Sequence, residues 1–309
     1  MILDYGIYLG KKVQSMDEVI KSYGNEFFYK DIIQFEERRL EPQLTQLEMA
    51  EKVLHETLSK STIDKEKIAI IVFASNMSTR CVPTTALTLV NRVGLRQRNL
   101  VALDVNSNCS GALTALNIVK NLLKDGELGV VLAVDKLTMM ENEDTPITHT
   151  YGDAATCMII DNQFEDYYFS QHNNVSFIDE MQLPLGELQK GNNNMTITVT
   201  ASPSFDKVLD ILQPQISEMY RETHTTKEDF KAFCFTQGSG KVISTLTQAL
   251  ELDKEKVPFT GKHTGYTGAC CPLINLDFMM NQGKIKRGDL IMFWGLGAGV
   301  NSTICAFRY

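Results

Sequence analysis

Val105-Asn106-Ser107-Asn108-Cys109-Ser110-Gly111-Ala112-Leu113 joins an apolar run to an amphipathic one. Upstream, Leu100-Val101-Ala102-Leu103-Asp104-Val105 reads as a buried strand, and residues 112–124 downstream repeat their apolar positions with helical period. Cys109 therefore stands at a strand-to-helix elbow. A helix start carries unpaired N–H groups and the positive end of the dipole. Such a site lowers a thiol's pKa and makes its thiolate a usable nucleophile. Gly111 lets backbone pack closely behind the elbow. A free cysteine is as often an inert core residue, and position alone leaves both readings open.

The chain has 309 residues, 43% of them hydrophobic, enough for one large domain or two fused halves. Its net charge of −8 argues against a nucleic-acid or anionic-membrane partner, which calls for a basic surface. The first residues lack the basic and long apolar runs of a targeting segment, and no stretch is of membrane-spanning length. The seven cysteines form no C-x-x-C pair and sit mostly in apolar runs, as expected of reduced core thiols in a cytoplasmic protein. No His/Cys cluster has zinc spacing, so no metal site is expected.

Working outward from the elbow, residues 5–9 read as a strand, 16–23 as a short helix and 36–39 as a solvated charge run. Residues 44–59 are an amphipathic helix, 68–74 a buried strand, and 83–93 a helix with proline near its start. After the elbow come a turn at Asp125-Gly126, a buried strand at 128–134, the small-residue turn Tyr151-Gly152-Asp153-Ala154-Ala155 and a strand at 156–160. Residues 161–204 are irregular, with a loop at Asn192-Asn193-Asn194.

The order then repeats. A helix at 205–221, a strand at 230–235 and a helix at 240–250 lead to a second elbow, Gly265-Tyr266-Thr267-Gly268-Ala269-Cys270-Cys271. A helix to Met280, a strand at 290–294, the loop Gly295-Leu296-Gly297-Ala298-Gly299 and a strand at 302–307 complete it. Two halves, 1–160 and 161–309, each with strands covered by helices, predict an α/β protein: a five-layer α/β/α/β/α sandwich. The helices after Cys109 and Gly268 form its buried middle layer, and Cys270 and Cys271 read as packing residues there.

These residues resemble the thiolase superfamily and, within it, the ketoacyl-acyl carrier protein synthase III family. Cys109-Ser110-Gly111 resembles the family's nucleophile motif, Tyr151-Gly152-Asp153-Ala154-Ala155 its F-G-D-G-A-G turn, and Gly295-Leu296-Gly297-Ala298-Gly299 its C-terminal G-F-G-x-G loop. The resemblance implies a thiolase-like fold and an acyl group carried on Cys109. It also implies an oxyanion hole from the N–H groups of Cys109 and Ala298. In the family a histidine in H-Q-A-N and an asparagine in G-N-T drive decarboxylation of a malonyl thioester. Here those stretches are Thr236-Gln237-Gly238-Ser239 and Gly265-Tyr266-Thr267, so Thr236 and Tyr266 hold the two positions. Neither a threonine hydroxyl nor a phenol with a pKa near 10 is a base at neutral pH, which argues against malonyl decarboxylation.

Of the five histidines, His263 is the best substitute base, being three residues from Tyr266, and His149 precedes the Gly152 turn. Related hydroxymethylglutaryl-CoA synthases place a glutamate near the end of the strand at 68–74. Here Ala74-Ser75-Asn76-Met77-Ser78-Thr79 offers no carboxylate, which disfavours that variant. By the same resemblance Tyr151 and Thr150 are either acyl-pocket residues or core packing, Trp294 lies in a core strand, and Lys241 is either an ordinary helix-surface lysine or the family's basic residue for docking the carrier protein.

The leading expectation is an acyltransferase that acylates Cys109 from a coenzyme A or phosphopantetheine thioester and passes the acyl group to an acceptor in secondary or fatty-acid-related synthesis. No resident cofactor is implied. The second is a non-catalytic partner subunit of a heteromeric condensing complex, and the third a condensing enzyme with a rearranged base such as His263. All three imply a homodimer or heterodimer, since in this family the strand at residues 100–105 lies close to the subunit interface.

Overall fold

The computed structural model describes residues 1–95, 99–179, 181, 182, 198, 199 and 205–309. The loop expected at Asn192-Asn193-Asn194 lies outside them. In chain order the elements are β1 (Ile2–Leu9), β2 (Lys12–Ser15), α1 (Met16–Tyr23), a π-helical turn (Phe28–Ile33), β3 (Glu37–Leu40), α2 (Gln46–Lys60), β4 (Ile68–Ala74), α3 (Thr85–Arg92), β5 (Val101–Val105), α4 (Gly111–Leu122), β6 (Leu128–Lys136) and β7 (Asp153–Ile160). There follow β8 (Tyr168–Asn173), β9 (Met181–Gln182), β10 (Thr198–Val199), α5 (Phe205–Thr223), β11 (Phe230–Phe235), α6 (Gly240–Ala249), α7 (Gly261–Thr264), α8 (Cys271–Asn281), β12 (Leu290–Gly297) and β13 (Asn301–Arg308).

One sheet runs β1-β7-β6-β4-β5, with β4 parallel to both β5 and β6 and the β1–β7 and β7–β6 pairs antiparallel. A second runs β11-β12-β13-β8, with β11 and β12 parallel and the remaining pairs antiparallel. Strand alternation sends successive side chains to opposite faces. Ile71 and Phe73 of β4 pack on Leu47, Val53 and Leu54 of α2 and Leu89 of α3. Ile70, Val72 and Ala74 face the other way, onto Leu113, Leu116 and Val119 of α4.

That inner cluster continues through Leu276 and Met279 of α8 to Cys234, Phe293 and Cys305 of the second sheet. The second sheet's far face, with Phe233, Phe235, Met292 and Trp294, packs on Leu212 and Ile216 of α5 and Ile243 and Leu246 of α6. Helices, sheet, α4 with α8, sheet, helices: these are the five layers expected. Each large apolar side chain buried this way contributes about 1.5–3 kcal/mol.

Two local expectations are corrected. The helix after β4 begins at Thr85 rather than at Pro83. Thr84 caps it, and the Asp104 carboxylate accepts the N–H groups of Thr85 (2.7 Å) and Ala86 (2.8 Å) at its positive end. The charge run at 36–39 is not all solvated. Arg38 on β3 is buried, donating to Gln14 Oε1 (2.8 Å), to Glu141 (3.0 Å) and to the carbonyl of Tyr151 (3.4 Å). A buried guanidinium persists only when its donors are met in this way.

Candidate active site

The elbow is shaped by Asn108, held in the left-handed region at φ 48°, a conformation asparagine tolerates better than most residues. Its amide donates to the carbonyl of Ala298 (3.2 Å), tying the elbow to the loop after β12. A Cβ at Gly295 would lie 2.8 Å from Ser110 Cα, so only glycine lets β12 sit this close to the elbow. The second motif turn is clasped in the same manner. Gly152 N–H donates to Tyr266 O (2.8 Å) and Tyr266 N–H to Thr150 O (2.9 Å), while a Cβ at Gly152 would fall 2.2 Å from Thr264 O.

These contacts enclose a cavity of about 390 Å³ in which Cys109, Thr236, Tyr266, Ala298 and Tyr151 all take part. Its wall is mainly apolar, with Phe28, Leu137, Met140, Val242 and Trp294 among the lining side chains. Trp294 is the core residue expected, its indole N–H bonded to Ser302 Oγ (2.9 Å), and it also walls the cavity. Among the described residues that line the cavity there is no carboxylate, imidazole, ammonium or guanidinium; Cys109, Tyr151 and Tyr266 are its titratable groups. Another depression, of about 330 Å³ beside Asp64, Lys67 and Gly126, is lined by none of the expected site residues.

Cys109 is partly exposed, and that exposure faces the cavity. Its Sγ donates to Asn76 Oδ1 at 3.2 Å. Burial pushes the thiol up to about 12; the Tyr266 hydroxyl opposes the shift and the Asp135 carboxylate adds to it. The direction is opposite to that expected from the helix start. A helix terminus is worth about 0.3–1 kcal/mol, less than a tenfold change in acidity, and burial outweighs it. The Tyr266 hydroxyl faces the same sulfur, but the hydrogen bond of good geometry is the one to Asn76. Burial, and then the neighbouring Cys109, hold the Tyr266 phenol well above its ordinary value, so it stays a neutral donor.

Thr236 lines the cavity but is turned into its own sheet. Its Oγ1 donates to Trp294 O (3.3 Å) and accepts from Leu296 N–H (3.1 Å). His263 is not in the site. The short helix α7 turns its side chain outward, 54% exposed, with Nδ1 3.7 Å from Glu36. His149 is buried outside the cavity, stacked on Tyr23 with ring centroids 3.7 Å apart and with Nδ1 2.9 Å from the Tyr29 hydroxyl. Burial lowers its pKa. Thr150 is buried and bonded to Ile147 O (2.6 Å), behind the cavity wall rather than in it. Lys241 is exposed on α6, next to the lining residue Val242.

The residues missed in the sequence are Asn76, which follows β4, and Asp135, near the end of β6. Asn76 falls in the very stretch searched for a carboxylate. Asp135 is a lone acid closing an apolar run, a signal present in the sequence but unconnected to Cys109 until the two strand ends are side by side.

Family models for 3-oxoacyl-[acyl-carrier-protein] synthase III match residues 103–174, around the elbow, and residues 220–309, as that family's C-terminal part. The chain belongs to the synthase III-like branch of the thiolase superfamily.

The beta-ketoacyl-[acyl-carrier-protein] synthase III of Ehrlichia canis is 24% identical, covering 100% of this chain and 98% of the relative. That of Aquifex aeolicus is also 24% identical, over 100% and 99%. Among solved structures, 3-oxoacyl-[acyl-carrier-protein] synthase III from Aquifex aeolicus matches with a TM-score of 0.88 at 23% identity, over 100% of this chain and 99% of that one. Xanthomonas campestris OleA with bound lauric acid and lauroyl-CoA matches with a TM-score of 0.85 at 15% identity, over 100% and 98%. These likenesses establish the thiolase-type fold of this synthase III-like chain.

Proposed function

We propose that the chain is a thioester-dependent acyltransferase of the synthase III type. Cys109 takes an acyl group from coenzyme A or an acyl carrier protein and hands it to an acceptor that needs little activation, such as an alcohol, an amine or a preformed enolate. The single observation that carries this reading is the Cys109 sulfur opening into an apolar cavity whose described lining has no ionisable base. Thiol–thioester exchange needs only a nucleophile and an oxyanion site, here assigned to the N–H groups of Cys109 and Ala298. Decarboxylation needs donors on an enolate. Thr236 spends its hydroxyl on β12, and Tyr266 is the hydroxyl that the second half turns toward Sγ.

On this reading residues 1–160 supply the nucleophile and residues 161–309 the opposite wall, while Lys241 is a contact for an acidic carrier protein. Intact-protein mass spectrometry with a panel of acyl-CoA and acyl-carrier thioesters tests it. A chain-selective mass increase on wild type, absent from Cys109→Ala, is expected. No adduct from any donor sinks the reading and favours a non-catalytic partner subunit, which the same lack of a carboxylate or imidazole among the described lining residues supports.

We also propose that the protein is a dimer with itself or with a related chain. β5 is a sheet edge, and Val101 and Leu103 on it are exposed, as are Val82 and Leu87 nearby in the chain. An uncovered apolar edge strand is a pairing surface. A monomer in light scattering at micromolar concentration contradicts this.

A further inference from the structure

Asp135 is 1% exposed and sits behind the nucleophile. Among the described residues, every group hydrogen-bonded to its carboxylate is a donor. Asn76 N–H (2.8 Å) and the Ser75 hydroxyl (3.0 Å) reach Oδ1; Asn76 Nδ2 (2.6 Å) and Ala269 N–H (2.8 Å) reach Oδ2. Ser75 Oγ already accepts from Gln46 Nε2 (2.7 Å) and Met77 N–H (3.1 Å), so its own proton points to Asp135. A protonated carboxyl would find no acceptor for its O–H in this ring. Burial raises the Asp135 pKa, but the donors select the carboxylate.

The carboxylate in turn fixes the Asn76 carboxamide. Its nitrogen faces Asp135, so its oxygen must face Sγ of Cys109, 3.2 Å away. A carboxamide lowers a thiol's pKa only when its N–H faces the sulfur; here its oxygen does, so it accepts from S–H and repels a thiolate. We propose that Asp135 and Asn76 are positioning residues that hold Cys109 as a neutral thiol whenever no thioester is bound. The other titratable groups facing the sulfur are Tyr266, Cys271 and Tyr151, all uncharged at neutral pH because burial raises each of them. Among the described lining residues no cation offsets Asp135.

This deepens the acyl-transfer reading and rests on it only for the leaving group. In acylation a bond forms between Sγ and the acyl carbon, and the bond from that carbon to the carrier's sulfur breaks. The proton that Sγ gives up ends on the departing sulfur, so one thiol replaces another and neither an oxidant nor a resident base is consumed. Between turnovers the cysteine is guarded against alkylation and oxidation, both of which need the thiolate.

The test is the pH dependence of Cys109 alkylation by iodoacetamide in the full chain, read by peptide mass spectrometry. For wild type the rate is expected to climb with pH without levelling off by about pH 10. Asp135→Asn removes the buried charge and frees the Asn76 amide to turn its nitrogen to the sulfur; alkylation at about pH 8 should then rise about tenfold or more. A wild-type profile that levels off near neutrality, or a folded Asp135→Asn protein with an unchanged profile, overturns the proposal. Should Asp135→Asn fail to fold, the infrared S–H stretch of wild type, isolated by difference from Cys109→Ala, decides the matter. A hydrogen-bonded S–H band present at about pH 8 supports the proposal, and its absence refutes it. Neither readout uses an acyl thioester, so failure here is distinct from failure of acyl transfer.

Discussion

The two halves of the molecule meet at one cavity with different chemical equipment. From the first half come Cys109, with its sulfur open to the cavity, and Asn76, locked in place by Asp135. From the second comes Thr236, whose hydroxyl is spent on Trp294 and Leu296 of its own sheet, together with Tyr266, a buried neutral phenol. One half presents a nucleophile. The other presents a wall with a single side-chain hydroxyl facing the sulfur and no imidazole or carboxylate among its described lining residues. On the proposed reading the difference separates acyl capture from malonyl decarboxylation: capture uses the Cys109 thiol and the backbone N–H groups of Cys109 and Ala298, which no side-chain change removes, while the two positions that the resemblance links to decarboxylation hold Thr236 and Tyr266.

The strongest way to break this comparison is Cys109→Ala. It should abolish acyl adducts and acyl transfer altogether, a loss of more than about a thousandfold, because no other thiol is among the described residues that line the cavity. Next is Tyr266→Phe, which removes the hydroxyl facing Sγ and should slow acylation about tenfold, the worth of one hydrogen bond to a developing charge. A loss as large as that of Cys109→Ala would make Tyr266 an equal partner and spoil the contrast between the halves. Thr236→Val should do least. It deletes the bonds to Trp294 and Leu296 and should cost about 1–2 kcal/mol of stability by denaturant titration, with acylation changed less than about threefold. A large loss of acylation at unchanged stability would return Thr236 to the chemistry.

The layers were legible in the sequence because buried strands and amphipathic helices carry their own periods, and because the order of elements repeats. The elbow, the Gly152 turn and the loop at Gly295 were legible for a steric reason: chains approach there too closely for any Cβ at Gly152 or Gly295. What could not be read was the partnership of strand ends. Asn76 and Asp135 lie 59 positions apart, and only the parallel pairing of β4 with β6 sets them beside Cys109. His263 misled for the complementary reason: three positions from Tyr266 in the chain, it is turned outward by α7 toward Glu36. The thiol's acidity was misjudged because a helix start is a local feature, whereas burial is a tertiary one and the larger effect.

The measurement that bears most directly on the account is the pH dependence of Cys109 acylation, followed by release of free coenzyme A from an acyl-CoA that the mass panel shows to be a donor. With the thiol pushed up to about 12 and no base among the described lining residues, the reactive thiolate is a small fraction that grows with pH. The logarithm of the rate should therefore rise with a slope near one from about pH 6 to about pH 10, without a bend. A bend near pH 6.5–7, where an imidazole base would titrate, would contradict the account and show that a histidine serves the site after all.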